Sequence, residues 1–130
     1  MERKWLFAIV VFSVVAYDAM ASLISRFLLL EYAYFTTGFL LVWFLAGFLI
    51  CWRSGFLTGL LAGFVAGLTE STIGWVVAES IGPLSSSRIP PENLSFALIS
   101  VVVVTSCLLS GVVGSIGAAA ASLIRKLTAN

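Results

Sequence analysis

The chain has 130 residues, 61% hydrophobic and 10% charged, with a mean hydropathy of +1.13. A soluble domain is about half apolar and about a quarter charged, and the seven basic and six acidic residues present are too few to cover the surface of a chain this small. That excludes a soluble domain; the high hydrophobicity excludes a disordered chain, and the formal net charge of +1 gives no basis for nucleic-acid binding. The class left is an all-α integral membrane protein, with the lipid bilayer as the solvent of most side chains.

A spanning helix needs about 20 mostly apolar residues, and four stretches qualify. The runs are too long and too weakly alternating for membrane β-strands of about 10 residues. The first span runs from Trp5 to about Leu29. Its start also has the form of a secretory signal: a basic opening, an apolar run, then Ala19-Met20-Ala21 as a small-x-small cleavage site. Apolar character resumes at Leu23 and no helix breaker comes before Gly38, so a retained span is expected. Asp18 lies 13 residues past Trp5, about 20 Å into the span at a rise of about 1.5 Å per residue. It shares a helical face with Ser22, Ser25 and Arg26.

The second span runs from about Phe35 to Trp52, with Tyr32 and Tyr34 before it and Trp52 at its end, as expected for an interfacial aromatic belt. Arg53 sits in the turn that follows. The third span runs from about Phe56 to Ile81 and is stopped by Gly82-Pro83. It carries Gly55, Gly59, Gly63 and Gly67 at a spacing of four, continued by Ser71. Such a stripe lets another helix approach closely, and in lipid that packing replaces the hydrophobic drive. Glu70 lies 14 residues past Phe56, about 21 Å from the same membrane face as Asp18 is reckoned. Spans one and three run in the same direction, so the two carboxylates are expected at matching depth. Thr69, Ser71 and Thr72 are expected to surround Glu70 with hydroxyls. Farther along, Arg26 and Glu79 come to similar heights, eight residues past Asp18 and nine past Glu70; an Arg26–Glu79 or Arg26–Asp18 pair would neutralise part of this charge.

The one sizeable loop reads GPLSSSRIPPEN from Gly82 to Asn93, and Glu31, Arg88 and Glu92 are expected to be solvated loop charges. The fourth span runs from about Pro91 to Ile124, opened by Pro90-Pro91, where a missing N–H does no harm. It carries a second small-residue stripe, Ser110, Gly114, Ala118 and Ser122, flanked by Gly111, Ser115 and Ala119. Spans three and four can pack through their stripes, or one stripe can serve a homo-oligomer or a membrane partner.

Basic residues set the orientation. Arg3, Lys4, Arg53, Arg125 and Lys126 all fall on one side if both termini are cytoplasmic, leaving Arg26 and Arg88 outside. The expectation is a single four-helix bundle over residues 1–130, N-in and C-in, in a bacterial inner membrane. With no His, imidazole proton relays and most zinc sites are excluded. Cys51 and Cys107 fall at different depths, which disfavours a disulfide and marks both as small apolar fillers. Ser85-Ser86-Ser87 has no base nearby, and no phosphate-binding glycine motif is present. No enzyme and no cofactor are expected.

Two functions fit. One is a non-catalytic accessory or assembly protein whose polar groups are packing devices. The other is an oligomeric, proton- or cation-linked transporter or channel that uses Asp18 and Glu70, with Arg26 as gate or counter-charge. Two carboxylates close together in a low dielectric do not both ionise easily; a shared proton or a bound cation would relieve the repulsion. The readings part at one feature. Transport needs a cavity touching Asp18 and Glu70, whereas a strut needs both carboxylates satisfied by Arg26 and hydroxyls.

Overall fold

The structure is a computed structural model that describes residues 2–85 and 93–129. All its regular elements are helical. Helix α1 spans Arg3–Leu28, and a short 3-10 turn, Tyr32–Phe35, leads into α2, Thr36–Ser54. Helix α3 spans Phe56–Thr69, a π-helical segment covers Glu70–Gly74, α4 spans Trp75–Ile81, and α5 spans Phe96–Thr128. The α3, π and α4 pieces form one continuous rod. Four helical runs are thus long and apolar enough to cross a membrane: Lys4–Leu28, Tyr32–Ser54, Phe56–Ile81 and Phe96–Thr128.

The predicted spans agree with these to within a few residues except the last. Pro90-Pro91, together with Arg88 and Glu92, lies outside the described residues. The described helix starts at Phe96 because Ser95 caps it, its Oγ accepting a hydrogen bond from the Leu98 N–H at 3.1 Å. It ends at Thr128, past Arg125 and Lys126, cations that suit a helix C-terminus.

Two kinds of packing hold the bundle. On one side of α3, apolar side chains interlock: Leu6, Val10 and Val14 of α1, Phe39, Trp43 and Ile50 of α2, and Ala62 and Ala66 of α3 form one buried cluster. On the other side of α3, backbones meet almost bare. A Cβ at Gly63 would stand 2.7 Å from the Ser110 carbonyl oxygen and 3.0 Å from the Gly114 Cα. One at Gly59 would meet the Gly47 carbonyl at 2.6 Å, and one at Gly67 the Ser106 carbonyl at 2.6 Å. The stripes of spans three and four therefore face each other inside the chain, as one of the two expectations had it. The second span joins them, which the spacing on spans three and four does not reveal. Its Gly47 lies on the Gly114 backbone, and a Cβ at Gly117 would run into the Phe44 carbonyl.

Gly55 is a correction. Its position in the stripe suggests helix packing, but nothing lies within 4 Å of where its Cβ would be. It forms the turn between α2 and α3 at φ 94°, a conformation that L side chains rarely adopt. The close contacts begin at Gly59. Both cysteines are free; Cys51 is buried, with its Sγ 3.2 Å from the Ala118 carbonyl.

Helix α5 packs on α2, α3 and the π segment but approaches neither α1 nor α4. Its first buried residue is Ser110. Before Ser106, whose carbonyl lies near Gly67, α5 buries no residue, and a wedge opens there between α5 and α4.

Candidate functional site

The wedge holds a cavity of about 310 Å³. Asp18 of α1, Glu70 and Ser71 of the π segment, and Glu79 of α4 lie on its wall, with Tyr32 from the turn before α2 and Ser106 from α5. Trp75, Leu98, Ile99 and Val102 give it an apolar side. The depth match expected from the 1.5 Å rise is realised: Asp18 and Glu70 reach the same space from parallel helices. No Lys or Arg lines the cavity among the described residues.

Local sequence explains how the carboxylates are presented. Ser71 Oγ donates to the Gly67 carbonyl at 2.8 Å, Thr69 Oγ1 to the Val65 carbonyl at 2.8 Å, and Thr72 Oγ1 to the Leu68 carbonyl at 2.5 Å. Hydroxyls that back-bond one turn upstream compete for carbonyls and bend helices. Here three of them cluster where α-helix gives way to a single π turn, a feature common at functional sites. Gly74 then faces α1, and a Cβ there would overlap the Asp18 carboxylate. The close approach of Asp18 to the third span thus requires glycine at position 74.

Asp18 is 2% exposed. Its Oδ1 accepts a hydrogen bond from the Tyr32 phenol at 2.7 Å. Its Oδ2 has no hydrogen-bond partner, and neither do Glu70 Oε2 and the fully buried Ser22 Oγ. Burying a carboxylate without a counter-charge costs on the order of several kcal/mol even after relaxation. Orphaned acceptors of this kind therefore call for an explanation, such as a bound ion or a proton.

Tyr32 is itself held from the outside. Its N–H donates to the Leu84 carbonyl at 2.8 Å, and the Leu84 N–H donates to Ser25 Oγ at 3.0 Å. Buried Ser25 completes the clasp by donating to the Leu30 carbonyl at 2.6 Å. The same clasp that closes the far end of the bundle positions the phenol on Asp18.

Several expected roles are not realised. Arg26 is exposed and forms no ion pair with Asp18 or Glu79; its Nη1 donates to the Ile81 carbonyl at 2.6 Å instead. The guanidinium satisfies an orphan carbonyl at the end of α4, which needs only a backbone within reach. Thr69, Ser71 and Thr72 do not donate to Glu70, since the carbonyl one turn back is the nearer acceptor for a β-hydroxyl. Ser22 is on the polar face assigned to it, and Glu79 is on the cavity wall.

Sequence reasoning missed Tyr32, Gly74, Trp75 and Ser106. Tyr32 reads as a belt aromatic; its only signal is that it sits one short turn before the second span. No family model matches the chain, and no curated protein or solved structure does so either.

Proposed function

We propose that the chain is an integral membrane protein with four spans and both termini cytoplasmic, and that it carries a proton or small cation through a site built on Asp18 and Glu70. The lengths and apolarity of the four helical runs support the membrane reading. Lys4, Arg53, Arg125 and Lys126 fall at one end of the alternating helices, which supports the orientation.

One observation carries the functional part. Three carboxylates line a cavity with no basic residue among the described lining, and two of them, Asp18 and Glu70, each keep a buried oxygen without a hydrogen-bond partner. Ionisable groups at membrane depth mark ion pathways and proton relays when they line a cavity. A packing strut would have closed both carboxylates on Arg26 and hydroxyls. The accessory reading also loses its main feature, because the small-residue stripes it would offer to a partner are occupied within the chain.

Reconstitution into proteoliposomes tests this. Wild-type protein is expected to raise proton or monovalent-cation flux above protein-free vesicles, with Asp18→Asn and Glu70→Gln each lowering it at least tenfold. Equal flux in all three proteins, at the protein-free background, refutes the proposal.

A further inference from the structure

The cavity has two unlike halves, and together they specify a ligand. On one side are Asp18, Glu70 and Tyr32; on the other are Trp75, Leu98, Ile99 and Val102. Asp18 is 2% exposed and keeps one carboxylate oxygen without a donor. Glu70 Oε2 and Ser22 Oγ are in the same condition. Among the described residues this side carries no Lys or Arg.

We propose that the cavity binds a protonated organic amine with a compact apolar or aromatic body, an inference that rests on the carboxylate site proposed above. The ammonium donates to the half-buried Glu70 carboxylate on the cavity wall, and the buried Asp18 carboxylate behind it adds negative charge. The body lies against the indole of Trp75 and the aliphatic wall of α5, where a cation next to an aromatic face gains further attraction. About 310 Å³ is at the lower end of small-molecule pockets, so the body is about one ring in size.

Other ligand classes fit less well. No group of three or more Asp, Glu, His or Cys able to hold a metal ion occurs among the described residues, whereas Ca²⁺ takes about six to eight oxygen ligands. An anion would meet three carboxylates and no described lining cation. A neutral molecule would leave the unpaired carboxylate charge uncompensated. A quaternary ammonium supplies charge but no N–H, so it should bind less well than an amine that can donate.

Calorimetric titration of the purified protein in detergent tests the class with four matched probes: 2-phenylethylamine, its N,N,N-trimethyl analogue, 2-phenylethanol and phenylacetate. The amine is expected to bind, the trimethyl analogue at least tenfold more weakly, and the alcohol and acid with no detectable heat. Asp18→Asn should weaken amine binding at least tenfold. Trp75→Leu, at a half-exposed position that the bundle core does not use, should weaken 2-phenylethylamine at least fivefold while leaving butylamine within twofold. Thermal unfolding of each variant checks that it remains folded. The amine proposal is overturned if the alcohol binds as well as the amine, if the amine binds Asp18→Asn as it binds wild type, or if Na⁺ or K⁺ alone displaces the amine competitively. Absence of amine binding alongside carboxylate-dependent flux in proteoliposomes also overturns it, but leaves the carboxylate site standing; absence of both removes the site as well.

Discussion

Gly63→Leu is expected to open the bundle, lowering stability by more than about 3 kcal/mol in detergent while leaving most of the helical content in place. Inserting bulk into a well-packed core costs about 1–3 kcal/mol when neighbours can yield, occasionally more. At Gly63 the neighbours are the Ser110 carbonyl at 2.7 Å and the Gly114 Cα at 3.0 Å. These are backbone atoms, which no rotamer change can move. The obstruction is reciprocal, since a Cβ at Gly114 would stand 2.6 Å from the Gly63 Cα. In lipid no hydrophobic term favours reassociation of helices that have separated, so close packing carries most of the interaction. Thermal unfolding, with hydrogen exchange along α5, reads the effect: the amides of the Ser110–Ala121 stretch should lose protection first. A melting temperature unchanged from wild type would mean that the close approach of α3 to α5 is not what holds the bundle.

The second large effect falls on the site and spares most of the fold. Gly74→Ala places a methyl group where the Asp18 carboxylate lies. The carboxylate is the far end of a side chain and can rotate, but doing so breaks its hydrogen bond from Tyr32. A hydrogen bond to a charged group is worth about 1.5–3 kcal/mol, and about 1.4 kcal/mol corresponds to a factor of ten. Cation flux is therefore expected to fall at least tenfold, with a stability loss of about 1–3 kcal/mol from the crowding. Flux at the wild-type level in a folded Gly74→Ala protein would show that the position of Asp18 is not set by the gap at Gly74.

Much of this architecture is legible in the residues themselves. Hydropathy and the Gly82-Pro83 break locate the spans, because lipid demands long uninterrupted apolar helices. A fixed rise per residue places Asp18 and Glu70 at one depth, and the spacing of four in the third span marks its packing face. The rest depends on how helices stand against one another. Gly47 shares its helix only with Gly38, nine residues away, and gains meaning only when α5 lies across it. Tyr32 reaches Asp18 because a 3-10 turn folds back over α1, and Arg26 finds a backbone carbonyl, which has no sequence signature. The π turn at Glu70–Gly74 adds one residue to a helical turn and so shifts the phase of everything after it. A periodicity argument carried from Gly59 through Gly67 therefore cannot place Gly74 opposite α1.

The central claim is that Asp18 and Glu70 share a cavity that water and cations can enter. The most direct test places a reporter in that cavity. Ser106 lies on its wall and Cys51 is 1% exposed, so Ser106→Cys in a Cys107→Ala background provides one reactive thiol at membrane depth. A membrane-impermeant, trimethylammonium-bearing methanethiosulfonate, added from the aqueous phase to protein in vesicles, should modify that thiol well above the Cys107→Ala control. Adding Asp18→Asn and Glu70→Gln should slow the modification at least fivefold, since the carboxylates concentrate the cationic reagent. A thiol at position 106 that stays unmodified from both sides of the membrane would contradict the account.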